Sequence, residues 1–138
     1  MIFPKPPLRI TKVIGLALIL ALLHPGSSSA DVIITEFMAS NNSVIDDEDG
    51  ESSDWIEIYN TGPALVNLDG FYLTDDPADL TKWRIPNVTI AVEDFVIVFA
   101  SAKDRDDPDS ELHTNFRLSA RGDYIALIDS DGTTVLSE

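Results

Sequence analysis

The chain contains no cysteine among its 138 residues and few basic residues. The lack of cysteine excludes a disulfide framework, a thiolate zinc site and a cysteine nucleophile. Only nine lysines and arginines stand against 24 acids, so the formal net charge is −15. Binding to a nucleic-acid backbone or to an anionic membrane surface needs clustered bases, so this charge argues against both kinds of partner. The length fits one domain.

Several enzyme motifs are absent as well. No GxSxG surrounds a serine, there is no HExxH, and neither GxGxxG nor GxxxxGK[ST] occurs. A serine-hydrolase triad, a zinc-protease site and a phosphate-binding loop therefore have no support. These absences favour a chain that is not an enzyme.

Residues 1–30 have the three parts of a secretory signal peptide. A basic start without acids leads into an apolar run at 13–23, and small residues follow at Ser28 and Ala30. The alternative is a membrane anchor, but a membrane span needs roughly 20 apolar residues. We therefore predict an N-terminal signal-peptide helix, cleavage after Ala30 and a mature domain at 31–138. That domain would be secreted or held at the cell surface, without a stable membrane span.

The remainder of the chain consists of short β-rich runs separated by Gly, Pro, Asn and Asp clusters. Many short strands with frequent turns predict an all-β sandwich or barrel. Alternation places Ile56 and Ile58 on one face of their strand. Residues 95–100 are apolar throughout, which predicts a central strand covered on both faces. The predicted strands are 32–37, 55–59, 65–68, 71–74, 82–85, 88–91, 95–101, 115–118, 124–129 and 133–136.

Two long acidic connections interrupt these strands, at 38–54 and 102–114. The first carries six carboxylates within residues 46–54, and unpaired like charges at this density repel each other. An EF-hand is excluded because isoleucines would occupy its first and twelfth positions. The alternatives are a solvated acidic loop and a calcium site, since calcium takes hard oxygen ligands. The candidate ligands are Asp46, Asp47, Asp49 and Asp54, joined by Asp75, Asp76 and Asp79 if the two loops meet.

Two carboxylates, Glu36 and Glu57, lie within strands that are otherwise largely apolar. A buried carboxylate must be paired or hydrogen-bonded, and Lys82 and Arg84 are the expected partners. The alternative is a catalytic pair of the glycosidase kind. It is the weaker interpretation, because the chain is short for a catalytic cleft and structural pairing suffices.

His113 is the only histidine outside the predicted leader. Without cysteine or HExxH it cannot belong to the common zinc motifs. Its ordinary role would be a hydrogen bond within a loop. The alternative is a mixed site that His113 completes with the acids of residues 104–111.

Seven segments share the order of a known family pattern. They are residues 33–41, 54–60, 66–74, 82–86, 96–101, 112–116 and 122–127. In this order the chain resembles the lamin tail domain family, which has an immunoglobulin-like fold and occurs in nuclear lamins and in many secreted bacterial proteins. The leader and the acidic loop at 46–54 resemble the secreted bacterial branch.

The resemblance implies an immunoglobulin-like β-sandwich that serves attachment or scaffolding and has no catalytic residues. In bacteria such domains accompany larger extracellular proteins, so the implied partner is a protein or a cell-surface component. The sequence stops at Glu138, where the family pattern leads us to expect several more residues of the closing strand. A truncated closing strand, in a fragment of a longer multidomain protein, is therefore one alternative.

Three functional hypotheses follow from the sequence. The first is a non-enzymatic, secreted domain that binds or tethers a protein through a sheet edge or through its acidic loops. The second is a calcium-dependent adhesion module that uses the loop at 46–54. The third and weakest is a small hydrolase that uses Glu36 and Glu57.

Overall fold

The structure, a computed structural model, describes residues 32–138, and this part of the chain contains strands and turns but no helix. The all-β fold predicted from the sequence is confirmed. The predicted signal-peptide helix at 1–30 lies outside the described residues. The strands are β1 (Val32–Met38), β2 (Trp55–Asn60), β3 (Val66–Asn67), β4 (Tyr72–Thr74), β5 (Trp83–Arg84), β6 (Thr89–Ile90), β7 (Phe95–Phe99), β8 (Leu112–His113), β9 (Ala126–Ile128) and β10 (Val135–Ser137).

Two four-stranded sheets form the domain, with strand orders β1-β2-β7-β8 and β10-β9-β4-β5. All pairings are antiparallel except that of β7 with β8, which is parallel. The short strands β3 and β6 pair separately. Two facing sheets without closure into a barrel make this an immunoglobulin-like β-sandwich.

The hydrophobic core lies between the two sheets. Ile56 and Ile58 of β2 are fully buried, as their alternation predicts. They belong to one cluster with Leu73 of β4 and Leu127 of β9, on the opposite sheet. Each buried side chain of this size contributes about 1.5–3 kcal/mol relative to an exposed one. The core therefore holds the sheets together without any disulfide.

Strand β7 is less covered than its apolar sequence predicts. Val98 and Phe99 are buried, but Val96 and Ile97 are only partly covered and Phe95 is 52% exposed. The prediction of burial on both faces is therefore wrong for the start of the strand. The strand has neighbours on both sides within its sheet, yet only one face of that sheet meets the opposite sheet.

The strand predicted at 115–118 is also displaced. The pairing with β7 is made earlier, by β8, while Arg117 contributes only a single bridge to Ser101. Thr114 explains the difference, because its Oγ1 donates to the Phe116 carbonyl oxygen at 2.7 Å. A local side-chain bond of this kind diverts the backbone from a regular ladder. The consequence is that the paired strand begins at Leu112 and not at residue 115.

Candidate functional site

The long connection between β1 and β2 is closed at its base by two polar side chains. Asn41 is buried, and its Nδ2 donates to the carbonyl oxygens of Ile45 (2.5 Å) and Ser53 (2.9 Å). Asp54 Oδ1 accepts from the backbone N–H groups of Ser40 (2.7 Å) and Asn41 (3.0 Å). These bonds satisfy backbone groups that a long loop would otherwise leave unpaired. They hold the two ends of the connection together.

Asp47 organises the acidic tip of the same connection. Its Oδ1 accepts from the backbone N–H groups of Asp49 (3.1 Å) and Glu51 (3.0 Å), and its Oδ2 accepts from Ser53 Oγ (2.8 Å). Gly50 adopts a φ of 75° and donates its N–H to the Asp47 carbonyl oxygen, which completes a tight turn. The loop is therefore folded around one carboxylate.

The second long connection brings two cations to this turn. Lys103 Nζ lies 2.7 Å from Asp47 Oδ2, 2.7 Å from Asp49 Oδ2 and 3.1 Å from Glu51 Oε2. Arg105 lies 2.5 Å from Glu48 Oε1 and 2.8 Å from Asp49 Oδ2. The two loops therefore meet through their opposite charges.

The backbone of this second connection is held in place from the sheet side. Ala102 (φ 61°) and Asp104 (φ 53°) take left-handed conformations, which non-glycine residues adopt only where contacts hold them. Their N–H groups donate to the carbonyl oxygens of Phe116 (3.0 Å) and Thr114 (3.1 Å). Lys103, which lies between them, is thereby presented to the first loop.

The ion pairs perturb the pKa values of both partners. Burial acts to raise the pKa of Asp47, but hydrogen bonds from Lys103, Glu51 and Ser53 outweigh it and hold the pKa well below its usual range. Burial likewise acts to lower the pKa of Lys103, and the bonds to Asp47, Asp49 and Glu51 reverse this effect and raise it. Both groups are therefore charged at neutral pH. The Lys103 ammonium group therefore balances part of the negative charge of the acidic turn.

The four predicted calcium ligands bind three separate sets of donors. Asp47 and Asp49 share Lys103, Asp46 Oδ1 accepts from Ser52 Oγ at 2.6 Å, and Asp54 holds the base of the loop. Asp75, one of the three further candidate ligands, pairs instead with Lys82 at 2.5 Å. The calcium assignment of Asp46, Asp47, Asp49 and Asp54 stays a prediction.

His113 lies on the inner side of the two loops and is fully buried. Its Nδ1 lies 2.9 Å from Ser101 Oγ, and its ring stacks on Phe99 with 5.3 Å between ring centroids. Its Nε2 lies 3.7 Å from Glu48 Oε1 and has no hydrogen-bond partner in the part of the chain that the structure describes. Burial lowers the pKa of His113, with Lys103 adding to the effect, so the imidazole is neutral at neutral pH.

Glu48 and Glu111 were not singled out by the sequence as partners of each other. The Glu48 N–H donates to Glu111 Oε2 at 2.6 Å, and the Glu111 N–H lies 3.4 Å from Glu48 Oε2. With His113 they form the group whose potential ligand atoms lie within 4.8 Å of one another in residues 32–138. The only signal in the sequence was the acid-rich stretch next to a single histidine.

The carboxylates Glu36 and Glu57 do not occupy a buried site. They face each other across β1 and β2, where Glu36 is exposed and Glu57 Oε1 accepts from Thr35 Oγ1 at 2.6 Å. The expected ion pairs with Lys82 and Arg84 are not formed: Lys82 binds Asp75 and Arg84 binds Asp69. That pairing was wrong because Glu57 alternates with the buried Ile56 and Ile58, while a bulge between Ile34 and Glu36 turns Glu36 away from the core face of β1.

Two clefts flank the domain. A polar cleft of ≈ 340 Å³ lies beside the first loop, with Asp54 and Arg117 in its wall. A more apolar cleft of ≈ 330 Å³ lies beside the end of β1. Its lining residues include Phe37, Ala39, Leu118 and Ile125.

The sequence model of the Lamin Tail Domain matches residues 25–137, which is most of the chain. This chain belongs to the lamin tail domain family. Its members are immunoglobulin-like protein-binding domains and are generally non-enzymatic. No curated protein matches this lamin tail domain. Its membership of the secreted bacterial branch stays a prediction.

The part of this lamin tail domain that the structure describes, residues 32–138, includes no helix with the length and apolar character needed to cross a membrane. The first sheet ends at β1, which pairs with β2 on one side only.

Proposed function

We propose that this lamin tail domain is a non-enzymatic protein-binding module that works outside the cell or at its surface and tethers a partner protein. The observation that carries the proposal is the terminal strand β1, whose end presents an exposed phenylalanine beside an apolar cleft. A strand edge offers unpaired backbone groups to an extended segment of another chain.

The two halves of β1 differ in how open they are. Near its start, the Ile34 N–H donates to Ser137 Oγ of β10 at 3.1 Å, so the second sheet covers this half. Towards its end, Phe37 is 54% exposed and lies in the wall of the apolar cleft. The second half of β1 is therefore the proposed docking surface.

The partner segment should be extended and should carry apolar and basic side chains. An apolar side chain next to Phe37 would fill the cleft, which Leu118 and Ile125 also line. Asp123 stands at the same cleft, and the chain as a whole carries a net charge of −15. Complementary charge accelerates association and selects the partner.

An experiment with a synthetic peptide tests this surface. We expect an eight-residue peptide of alternating valine and lysine to shift the backbone amide signals of Phe37 and Met38 in NMR spectra. Phe37→Ser should weaken its binding by about tenfold or more, because one buried aromatic side chain is worth about 1.5–3 kcal/mol.

Phe95→Ser is the matched control for this experiment, since Phe95 on β7 is 52% exposed. It should leave the affinity for the peptide unchanged within about twofold. Equal losses in both variants, or amide shifts confined to the acidic loops, would show that β1 is not the binding surface.

The extracytoplasmic location rests on the predicted leader. A basic start, an apolar run and small residues before Asp31 support export and cleavage after Ala30. The mass of the intact protein recovered outside the cell should correspond to a chain that begins at Asp31. A mass that includes residues 1–30 would contradict the cleavage.

Calcium-dependent adhesion through residues 46–54 is the second candidate function. It is supported by the imbalance of the loop, where six carboxylates meet only two basic side chains. Calcium should then raise the melting temperature at fixed ionic strength more than magnesium does, and Asp49→Asn should remove the difference. If calcium and magnesium raised the melting temperature equally, the acids of this loop would not form a calcium site.

A further inference from the structure

We propose that Glu48, Glu111 and His113 form a binding site for a divalent transition-metal ion of the zinc type. The three side chains come from the two loops and from β8, and their potential ligand atoms lie within 4.8 Å of one another. This site differs from the predicted calcium site, with which it shares no residue.

The buried imidazole is the strongest indication of a ligand. His113 is fully buried, yet its Nε2 has no hydrogen-bond partner among residues 32–138. Glu48 Oε1 lies 3.7 Å from this nitrogen, which is too far for a hydrogen bond. Buried polar atoms without partners are rare, so this nitrogen calls for a specific explanation. A metal ion between it and the carboxylates satisfies it.

The other nitrogen of His113 already has the partner that a metal-bound histidine requires. Nδ1 lies 2.9 Å from Ser101 Oγ, and stacking on Phe99 fixes the plane of the ring. When Ser101 Oγ accepts from the Nδ1–H, Nε2 is the unprotonated nitrogen, and metal-binding histidines almost always donate their second N–H to a nearby oxygen in this way. Ser101 is therefore a positioning residue for the proposed site.

The two carboxylates are held beside each other and close to His113. Reciprocal contacts between the side chain of each glutamate and the N–H of the other keep Glu48 beside Glu111. In a tetrahedral zinc site the ligand atoms are roughly 3.3 Å apart, as bond lengths of about 2.0–2.1 Å require. Side-chain rotations that draw the three atoms together from 4.8 Å complete the geometry. A fourth position remains for water.

The ligand set selects the kind of ion. Calcium takes oxygen ligands, typically six to eight, whereas one imidazole nitrogen with two carboxylates suits zinc and its neighbours. Arg105 competes for the same carboxylate, because it lies 2.5 Å from Glu48 Oε1. Its guanidinium keeps a second partner, Asp49, at 2.8 Å. The metal ion can therefore displace Arg105 from Glu48 without leaving it unpaired.

The test is a calorimetric titration of the full chain with zinc chloride in a metal-free, non-coordinating buffer. We expect one zinc ion per chain, and calcium at the same concentrations should not displace it. Glu111→Gln keeps the acceptor for the Glu48 N–H, and should lower the affinity for zinc by about tenfold or more. Ser101→Ala should lower it by about 10–100-fold, and Arg105→Gln should raise it.

Asp106→Asn is the matched control, because it removes one acidic charge from the same exposed connection outside the ligand set. It should change the affinity by less than about twofold. Zinc should also shift the ring signals of His113 in NMR spectra, which contain only one other histidine. The proposal is overturned if zinc does not bind, if Glu111→Gln binds it as well as Asp106→Asn does, or if the His113 signals do not move.

Discussion

Replacing Lys103 with methionine is expected to lower the free energy of unfolding by about 3 kcal/mol. The side chain of Asp47 is completely buried and that of Lys103 is 17% exposed, so the variant leaves a buried carboxylate without its cation. Removal of one partner of a buried ion pair costs about 3–5 kcal/mol, and the residual exposure of Lys103 favours the lower end. Urea denaturation at pH 7 measures the loss.

Arg105→Met is the matched control for this variant. It removes the same charge from the same loop, but Arg105 is 40% exposed and so are its partners in similar degree. Exposed ion pairs contribute at most about 1 kcal/mol. If both variants lost the same stability, the effect would come from the net charge of the loop and not from the buried pair.

The same ion pair makes the stability of the domain sensitive to acid. The pKa of Asp47 lies well below its usual value of 3.8, so its contribution is fully present above about pH 4 and is lost as the pH falls further. Asp47→Asn removes this contribution. The wild-type protein should therefore lose stability more steeply than the variant between pH 4 and pH 2.5. Parallel curves over that interval would contradict the assignment.

Replacing Asn60 with alanine is expected to cost about 3 kcal/mol of unfolding free energy as well. The side chain is fully buried at the end of β2, and its Nδ2 lies within hydrogen-bond distance of three carbonyl oxygens: those of Ala64 (2.8 Å), Ile90 (3.1 Å) and Ala91 (3.1 Å). Its Oδ1 accepts from the Gly62 N–H at 2.9 Å. Alanine removes all of these contacts, and although the Ala91 carbonyl oxygen keeps the Asp94 N–H at 3.2 Å, each group that stays buried without a partner costs about 1–3 kcal/mol.

Two further variants refine this prediction. Asn60→Asp retains the acceptor for Gly62 but directs a carboxylate at three carbonyl oxygens, so it should be less stable than Asn60→Ala. Asn67→Ala on β3 is the control, because Asn67 is exposed, and it should cost about 0.5 kcal/mol or less. A loss below about 1 kcal/mol for Asn60→Ala would show that water replaces the lost bonds.

The local pattern of the sequence was enough to predict most of the strands. Period-two alternation correctly directed Ile56 and Ile58 inward, because successive side chains of a strand point to opposite faces. The order of seven segments led to the lamin tail domain family, which the match over 25–137 confirms. The displaced strand at 115–118 shows the limit, since one bond from Thr114 altered the pairing.

The candidate site was only partly visible in the sequence. The acidic run at 46–54 and His113, the one histidine outside the predicted leader, were recognised as unusual, but their common environment was not. Lys103 lies 56 residues from Asp47 along the chain. Nothing in the local composition indicates that it crosses to the other loop and neutralises the carboxylate there.

The sequence by itself therefore determined most of the strands, the inward face of β2, the family and the excess of acidic charge, because each depends on neighbouring residues or on composition. Only the tertiary structure decided which side chains lie beside those acids and pair with them. The pairing of β7 with β8 places Lys103, Arg105 and His113 beside the first loop. Contacts between residues so distant in sequence depend on how the sheets pack. Burial then makes Lys103 and Asp47 a specific ion pair. It also leaves His113 Nε2 without a hydrogen-bond partner among residues 32–138.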